Sequence, residues 1–108
     1  MDLSELKKAL MDLGWQEQMN FEIGERYPQE SEAIEKRTNL GIQELAKKIT
    51  PELLNALEED NSYLVWVLRL SPYVPGDLPA VRAQRYLNHP KYEVSAWAES
   101  ILELLDRT

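Results

Sequence analysis

No cysteine occurs in the 108 residues, which excludes disulfide staples and thiolate chemistry. A chain of this length must then rest on its apolar core, and it can bury roughly two-thirds of its unfolded surface without covalent help. The missing cysteines fit a reducing compartment, and the cytoplasm is the expected location. Histidine is almost as scarce. His89 stands alone beside Pro90, so neither a zinc ligand set nor a Ser-His-Asp arrangement can be assembled, and a surface or capping role is expected for it. The 4 glycines are isolated, so there is no glycine-rich phosphate loop. No apolar run approaches the roughly 18 residues of a membrane span, and the charged N-terminus lacks the apolar stretch of a signal peptide. Strand signals are missing too, with no sustained alternation and no Asn-Gly or Asp-Gly hairpin turn. Bases are outnumbered, 12 against 19 acids, and they form no cluster. Nucleic acid and anionic lipid are therefore disfavoured partners.

What the chain does contain is leucine, 17 copies within a 44% hydrophobic composition, spaced for helices. Ser4 is placed to cap a first helix that carries Leu6, Leu10 and Leu13 on one face, with Gly14 positioned to close it. Trp15, Met19 and Ile23 then recur at four-residue spacing until Gly24 and Pro28 stop the segment. Ser31 opens a longer segment to Ile49, anchored by Ile34, Leu45 and Ile49. Gly41 sits inside it with Leu40 and Ile42 on either side. A mid-helix glycine costs about 1 kcal/mol relative to alanine, and close approach of another helix is one reason to tolerate it.

Thr50-Pro51 marks a restart, a hydroxyl cap followed by proline at the first helical position. Leu53, Leu54 and Leu57 follow, and Asp60-Asn61-Ser62 breaks the chain before the apolar run Tyr63 to Leu70. Two prolines and a glycine keep residues 71–77 out of a helix. Asp77 is read as the cap of the next one, which carries Pro79 in its first turn and points Val81, Tyr86 and Leu87 inward. After the turn Asn88-His89-Pro90 the last helix starts near Glu93, with Val94, Trp97, Ala98, Ile101, Leu102 and Leu105 forming one apolar stripe.

Helix, short proline-containing turn and helix, with Val, Ala and Leu at these offsets over residues 86–105, resembles a HEAT-type repeat. A weak internal repeat agrees: a shift of 31 places Tyr63, Trp66, Val67 and Leu70 over Val94, Trp97, Ala98 and Ile101. A shift of 33 places Leu53 and Leu54 over Tyr86 and Leu87. The resemblance implies an all-α fold of about six helices, a small HEAT/armadillo-like array of stacked antiparallel hairpins within a single helical domain, residues 1–108. Residues 51–108 would form two HEAT-like hairpins and residues 1–49 further helices or a cap. Such folds are mostly binding surfaces.

The net charge of -7 is concentrated in two blocks. Glu17, Glu22, Glu25, Glu30, Glu32 and Glu35 are accompanied by one base, Arg26, and Glu52, Glu58, Glu59 and Asp60 by none. Adjacent carboxylates at helix ends splay into solvent, and no Asp-rich calcium loop is present, so catalytic and metal roles are not expected. The blocks attract basic proteins. Three Trp and five Tyr are a generous supply of anchors. Trp97, Tyr63 and Trp66 are read mainly as core, and Tyr73 and Tyr92, in turns, as exposed.

Small size, acidity and a HEAT-like C-terminal half look like a bacterial immunity protein, the cognate inhibitor of a toxin delivered between cells. That resemblance implies a non-enzymatic, cytoplasmic protein without cofactors that covers a basic toxin such as a nuclease. Its contacts would be Glu22, Glu25, Glu30, Glu32 and Glu35, or Glu58, Glu59 and Asp60, with Tyr63, Trp66, Tyr73 and Tyr92 as aromatic anchors. An adaptor holding a peptide in a groove by Tyr63 and Trp66 is the alternative. No residue set supports a third reading, a HEAT-like lyase.

Overall fold

The computed structural model describes residues 1–26 and 28–107; within the helices, the side chains of residues 20–26, 28–32 and 34 lie outside the described set. The fold is all-α. Among the described residues six α-helices follow in order: α1 (Leu3–Arg26), α2 (Pro28–Ala46), α3 (Pro51–Glu58), α4 (Leu64–Leu70), α5 (Pro79–Gln84) and α6 (Tyr92–Asp106). Short 3-10 turns at Asn61–Tyr63 and Ser71–Tyr73 flank α4, and no strand occurs among the described residues.

α1 is one helix of 24 residues, not two. Gly14 does not close it. Only Gly76 among the described glycines has positive φ, and an added Cβ at Gly14 would stand 3.4 Å from Cζ2 of Trp66. The glycine is thus a landing place for an indole from α4. The cap is also two residues earlier than Ser4: the Asp2 carboxylate accepts the Glu5 N–H at 2.8 Å. α2 begins at Pro28, ahead of Ser31, with proline at the tolerated first position.

Leu13 of α1 faces Gly41 of α2, while Leu6 and Leu10 share a core cluster with Leu45, Ala46 and Ile49. The two long helices therefore run antiparallel. An added Cβ at Gly41 would meet Cδ2 of Leu13 at 2.9 Å, the close approach expected of a mid-helix glycine.

Local chemistry sets α3. Thr50 Oγ1 accepts the Leu53 N–H at 3.2 Å, and Pro51 fills the first turn. Asp60 then caps the following turn through the Ser62 N–H at 3.0 Å. α4 has no polar face. Leu64, Val67, Leu68, Arg69 and Leu70 are all buried, because the helix lies between two cores. Val67 and Leu70 join Leu54 and Leu57 of α3 and the α1–α2 leucines. Leu64 and Leu68 join Ala83 of α5 and Val94, Ala98 and Ile101 of α6.

The segment 71–77 keeps one 3-10 turn and then reverses at Gly76, whose φ of 82° is the left-handed region. α5 is shorter than expected and ends at Gln84. Val81 and Leu87 face solvent at 48% and 36% exposure, not the core, and Tyr86 is half-buried. Asp77 is not the cap of α5. Leu78 occupies that position without a side-chain bond, because the Asp77 carboxylate is taken by Arg82.

Gly14 and Gly76 make opposite predictions from the same residue type. Gly14→Ala adds helix propensity at an ordinary contact distance and is expected to stabilise by about 0.5–1 kcal/mol. Gly76→Ala forces a side chain into the left-handed region and is expected to destabilise by roughly 1 kcal/mol. Urea midpoints of the two variants against the parent check both signs.

Candidate functional site

Three clusters carry the unusual side chains, and the first is a buried ion network. Arg82, 6% exposed, grips Asp77 with two bonds, Nε to Oδ2 at 2.9 Å and Nη2 to Oδ1 at 2.6 Å. The Ser71 hydroxyl donates to the same carboxylate. Arg82 Nη1 and Arg85 Nη1 both reach Glu58 Oε2, at 3.2 and 3.3 Å. Burial opposes ionisation of Asp77, but the Arg82 and Ser71 hydrogen bonds outweigh it and hold the carboxyl below its usual 3.8. Tyr86 is pushed up to about 12, first by burial and then by the Glu58 carboxylate. Glu58 Oε1 itself accepts no hydrogen bond within normal distance among the described residues. This cluster ties α3 and the 71–77 loop to α5, so its role is to hold the fold.

The second cluster centres on Arg69, the one charged residue of α4 and nine-tenths buried. Its guanidinium lies over the rings of Trp66 and Trp97, 4.8 Å from each centroid. These are the two tryptophans that the internal repeat superposes. Nη1 donates to Glu17 Oε2 at 3.0 Å, the only hydrogen bond from this guanidinium among the described residues. On one side lies a hollow of about 310 Å³ bounded by Gly14, Glu17, Gln18 and Trp66. On the other side a cleft of about 280 Å³ opens between α2 and α6. Glu35, Asn39 and Gln43 form its polar wall, Trp97, Ile101 and Leu104 its apolar wall, and Arg69 and Tyr73 also line it.

The third feature is the outer face of α1. Met11, Trp15 and Met19 are exposed by 59%, 65% and 57%, and their i, i+4, i+8 spacing sets them on one stripe. Leu6 and Leu10 are fully buried on the opposite side. Trp15 and Met19 therefore face outward, and the four-residue spacing that set them in a second segment continues α1. Reading residues 3–26 as one helix would have shown the excess: two apolar stripes, with room for only one in the core.

The acidic blocks are divided by the fold. Glu58 is engaged by two arginines, and Asp60 by Lys7 at 3.0 Å. That ammonium and the Ser62 N–H hold the half-buried Asp60 carboxyl below its ordinary range. Glu59 and Glu35 are exposed, as are Tyr73 and Tyr92, the latter at 83%. The side chains of Glu22, Glu25, Glu30 and Glu32 lie outside the described residues. Tyr63 and Trp66 are partly buried against the larger core, with Lys7 5.2 Å above the Tyr63 ring. Trp97 packs against the smaller core. His89 Nδ1 accepts the Lys91 N–H at 3.1 Å, a turn-capping role.

Among the described residues no three His, Asp or Glu side chains are grouped to hold a metal, and no helix is long and apolar enough to cross a membrane. No protein-family model, curated protein or solved structure matches the chain.

Arg82→Met strands the buried Asp77 and Glu58 carboxylates and is expected to cost about 3–5 kcal/mol in urea unfolding. The depressed folded pKa of Asp77 means its contribution is present above about pH 4 and lost as pH falls through the lower folded value. Asp77→Asn should accordingly be less stable than the parent at neutral pH and show a flatter loss of stability on acidification.

Proposed function

We propose that the chain is a non-enzymatic acidic binding protein that captures and blocks a basic protein partner, as a bacterial immunity protein does its cognate toxin. The observation that supports this reading is the Met11–Trp15–Met19 stripe on α1. An indole between two flexible thioethers is an adaptable anchor, and tryptophan is among the residues that dominate interface energetics. Large side chains in such a row have no role in the monomer's core, since the buried face of the same helix is already complete.

The charge selects the partner. Asp12 stands beside Met11 in the chain, which carries a net charge of -7. Carboxylates around an apolar anchor raise the encounter rate with a cationic protein and disfavour acidic competitors. A second copy of the chain is repelled by the same charge. Of the second acidic block, Glu52 and Glu59 are exposed and complement the net charge, while Glu58 and Asp60 are already paired inside the molecule.

Photo-crosslinkers at position 15 and, as a control, at the exposed Ser100 test this in a host lysate. The position-15 probe should trap one basic protein, and Trp15→Ala should weaken its co-purification at least tenfold. Raising salt from 50 to 500 mM should slow association. An identical yield from both probes, or a trapped protein of net negative charge, would overturn the reading. So would a homodimer in sedimentation whose formation Trp15→Ala abolishes.

A further inference from the structure

The α2–α6 cleft is not part of the α1 face and has its own chemistry. Its floor holds a guanidinium that is nine-tenths buried and packed against two indoles, with Nε and Nη2 carrying no hydrogen bond among the described residues. Stacking fixes the plane of a guanidinium and leaves its edge donors as the recognition element for a planar carboxylate. Glu17 meets only Nη1, from the side of the other hollow.

The walls narrow the ligand further. Trp97, Ile101 and Leu104 offer an apolar surface, whereas Asn39, Gln43 and the Tyr73 hydroxyl offer hydrogen bonds. Among the described residues that line the cleft, Arg69 is offset by Glu35, while Glu17 holds one Arg69 nitrogen from the other hollow. A simple anion therefore meets no net positive charge. A ligand with a carboxylate for Arg69 and a cation for Glu35 is matched on both counts.

We propose that this cleft binds an apolar residue bearing a free α-carboxylate with a positive charge close by. The carboxylate meets the free edge of Arg69, the cation meets Glu35, and the apolar side chain lies on Trp97, Ile101 and Leu104. Asn39 and Gln43 take the intervening polar atoms. Two sources supply this chemistry: a free apolar amino acid, or the C-terminal residue of a polypeptide with lysine or arginine just before it. The volume of about 280 Å³ suits one such residue and little more.

Titration of the purified chain, followed by calorimetry and by indole N–H chemical shifts, tests this without any partner protein. The probes are free L-leucine, the tripeptide Gly-Lys-Leu as free acid, and the same tripeptide amidated at its C-terminus. Binding of leucine or the free-acid tripeptide below about 1 mM, with at least tenfold weaker binding of the amide, is the expected result. Saturation by leucine identifies a free amino acid as the ligand, and saturation by the tripeptide alone identifies a chain terminus. Glu35→Gln, at an exposed position that leaves the core intact, should weaken the free-acid tripeptide about fivefold or more and acetyl-leucine far less. Equal binding of acid and amide, shifts confined to the Trp15 indole, or no binding at 10 mM would each overturn the proposal. The crosslinking and co-purification tests of the α1 face use a different partner and readout, so the two readings fail separately.

Discussion

Burial of α4 between two cores is the constraint that orders the rest of this molecule. A helix of seven residues has little intrinsic stability, since forming its first turn fixes several dihedrals for one hydrogen bond. It persists because Val67 and Leu70 face one cluster while Leu64 and Leu68 face another. Each cluster lacks a wall without it. The α1–α2 hairpin and α3 close the first, and α5 and α6 close the second. The two halves of the chain are thus coupled through one short segment.

That coupling explains where the charges went. A chain with 19 acids can offer many carboxylates to a partner, yet the fold withdraws several of the best placed. Asp77 and Glu58 neutralise Arg82, and without that arginine both would be stranded in a poorly solvated site. Asp60 holds Lys7 across α1 and α3. A surface pair of this kind contributes little to stability, but it does lower the negative charge at that end. The acidity left for long-range attraction is therefore not the acidity counted along the sequence.

Legibility in the sequence followed the range of the interactions. Thr50-Pro51 was readable because a cap is settled within three residues, and the Thr50–Leu53 bond is the result. The apolar stripe of α6 was readable for the same reason, since periodicity alone buries Val94, Ala98 and Ile101. Gly14 was not readable. Whether a glycine ends a helix or receives a neighbour depends on Trp66, which is far along the chain. Asp77 failed as a cap because Arg82 and Ser71 compete for the same oxygens. The supply of aromatics pointed to exposed anchors, and Tyr73 and Tyr92 are exposed, but the stripe that Trp15 forms with Met11 and Met19 emerges only when residues 3–26 are one helix.

Arg69 is the residue that least fits a helix whose purpose is apolar burial. Leucine or methionine at that position would fill the space between Trp66 and Trp97 with no desolvation penalty, and replacing buried charges by packed apolar groups is often neutral or stabilising. The pairing with Glu17 does not remove the difficulty, because that carboxylate is about half exposed and bonds only one nitrogen. Two indole contacts add attraction of roughly 1–2 kcal/mol each when shielded from water, enough to make the site tolerable. Tolerable is not the same as optimal. A cation held rigid at the junction of both cores, with its free edge on a cleft, is the arrangement expected where charge is retained for recognition and stability is supplied by the leucines around it.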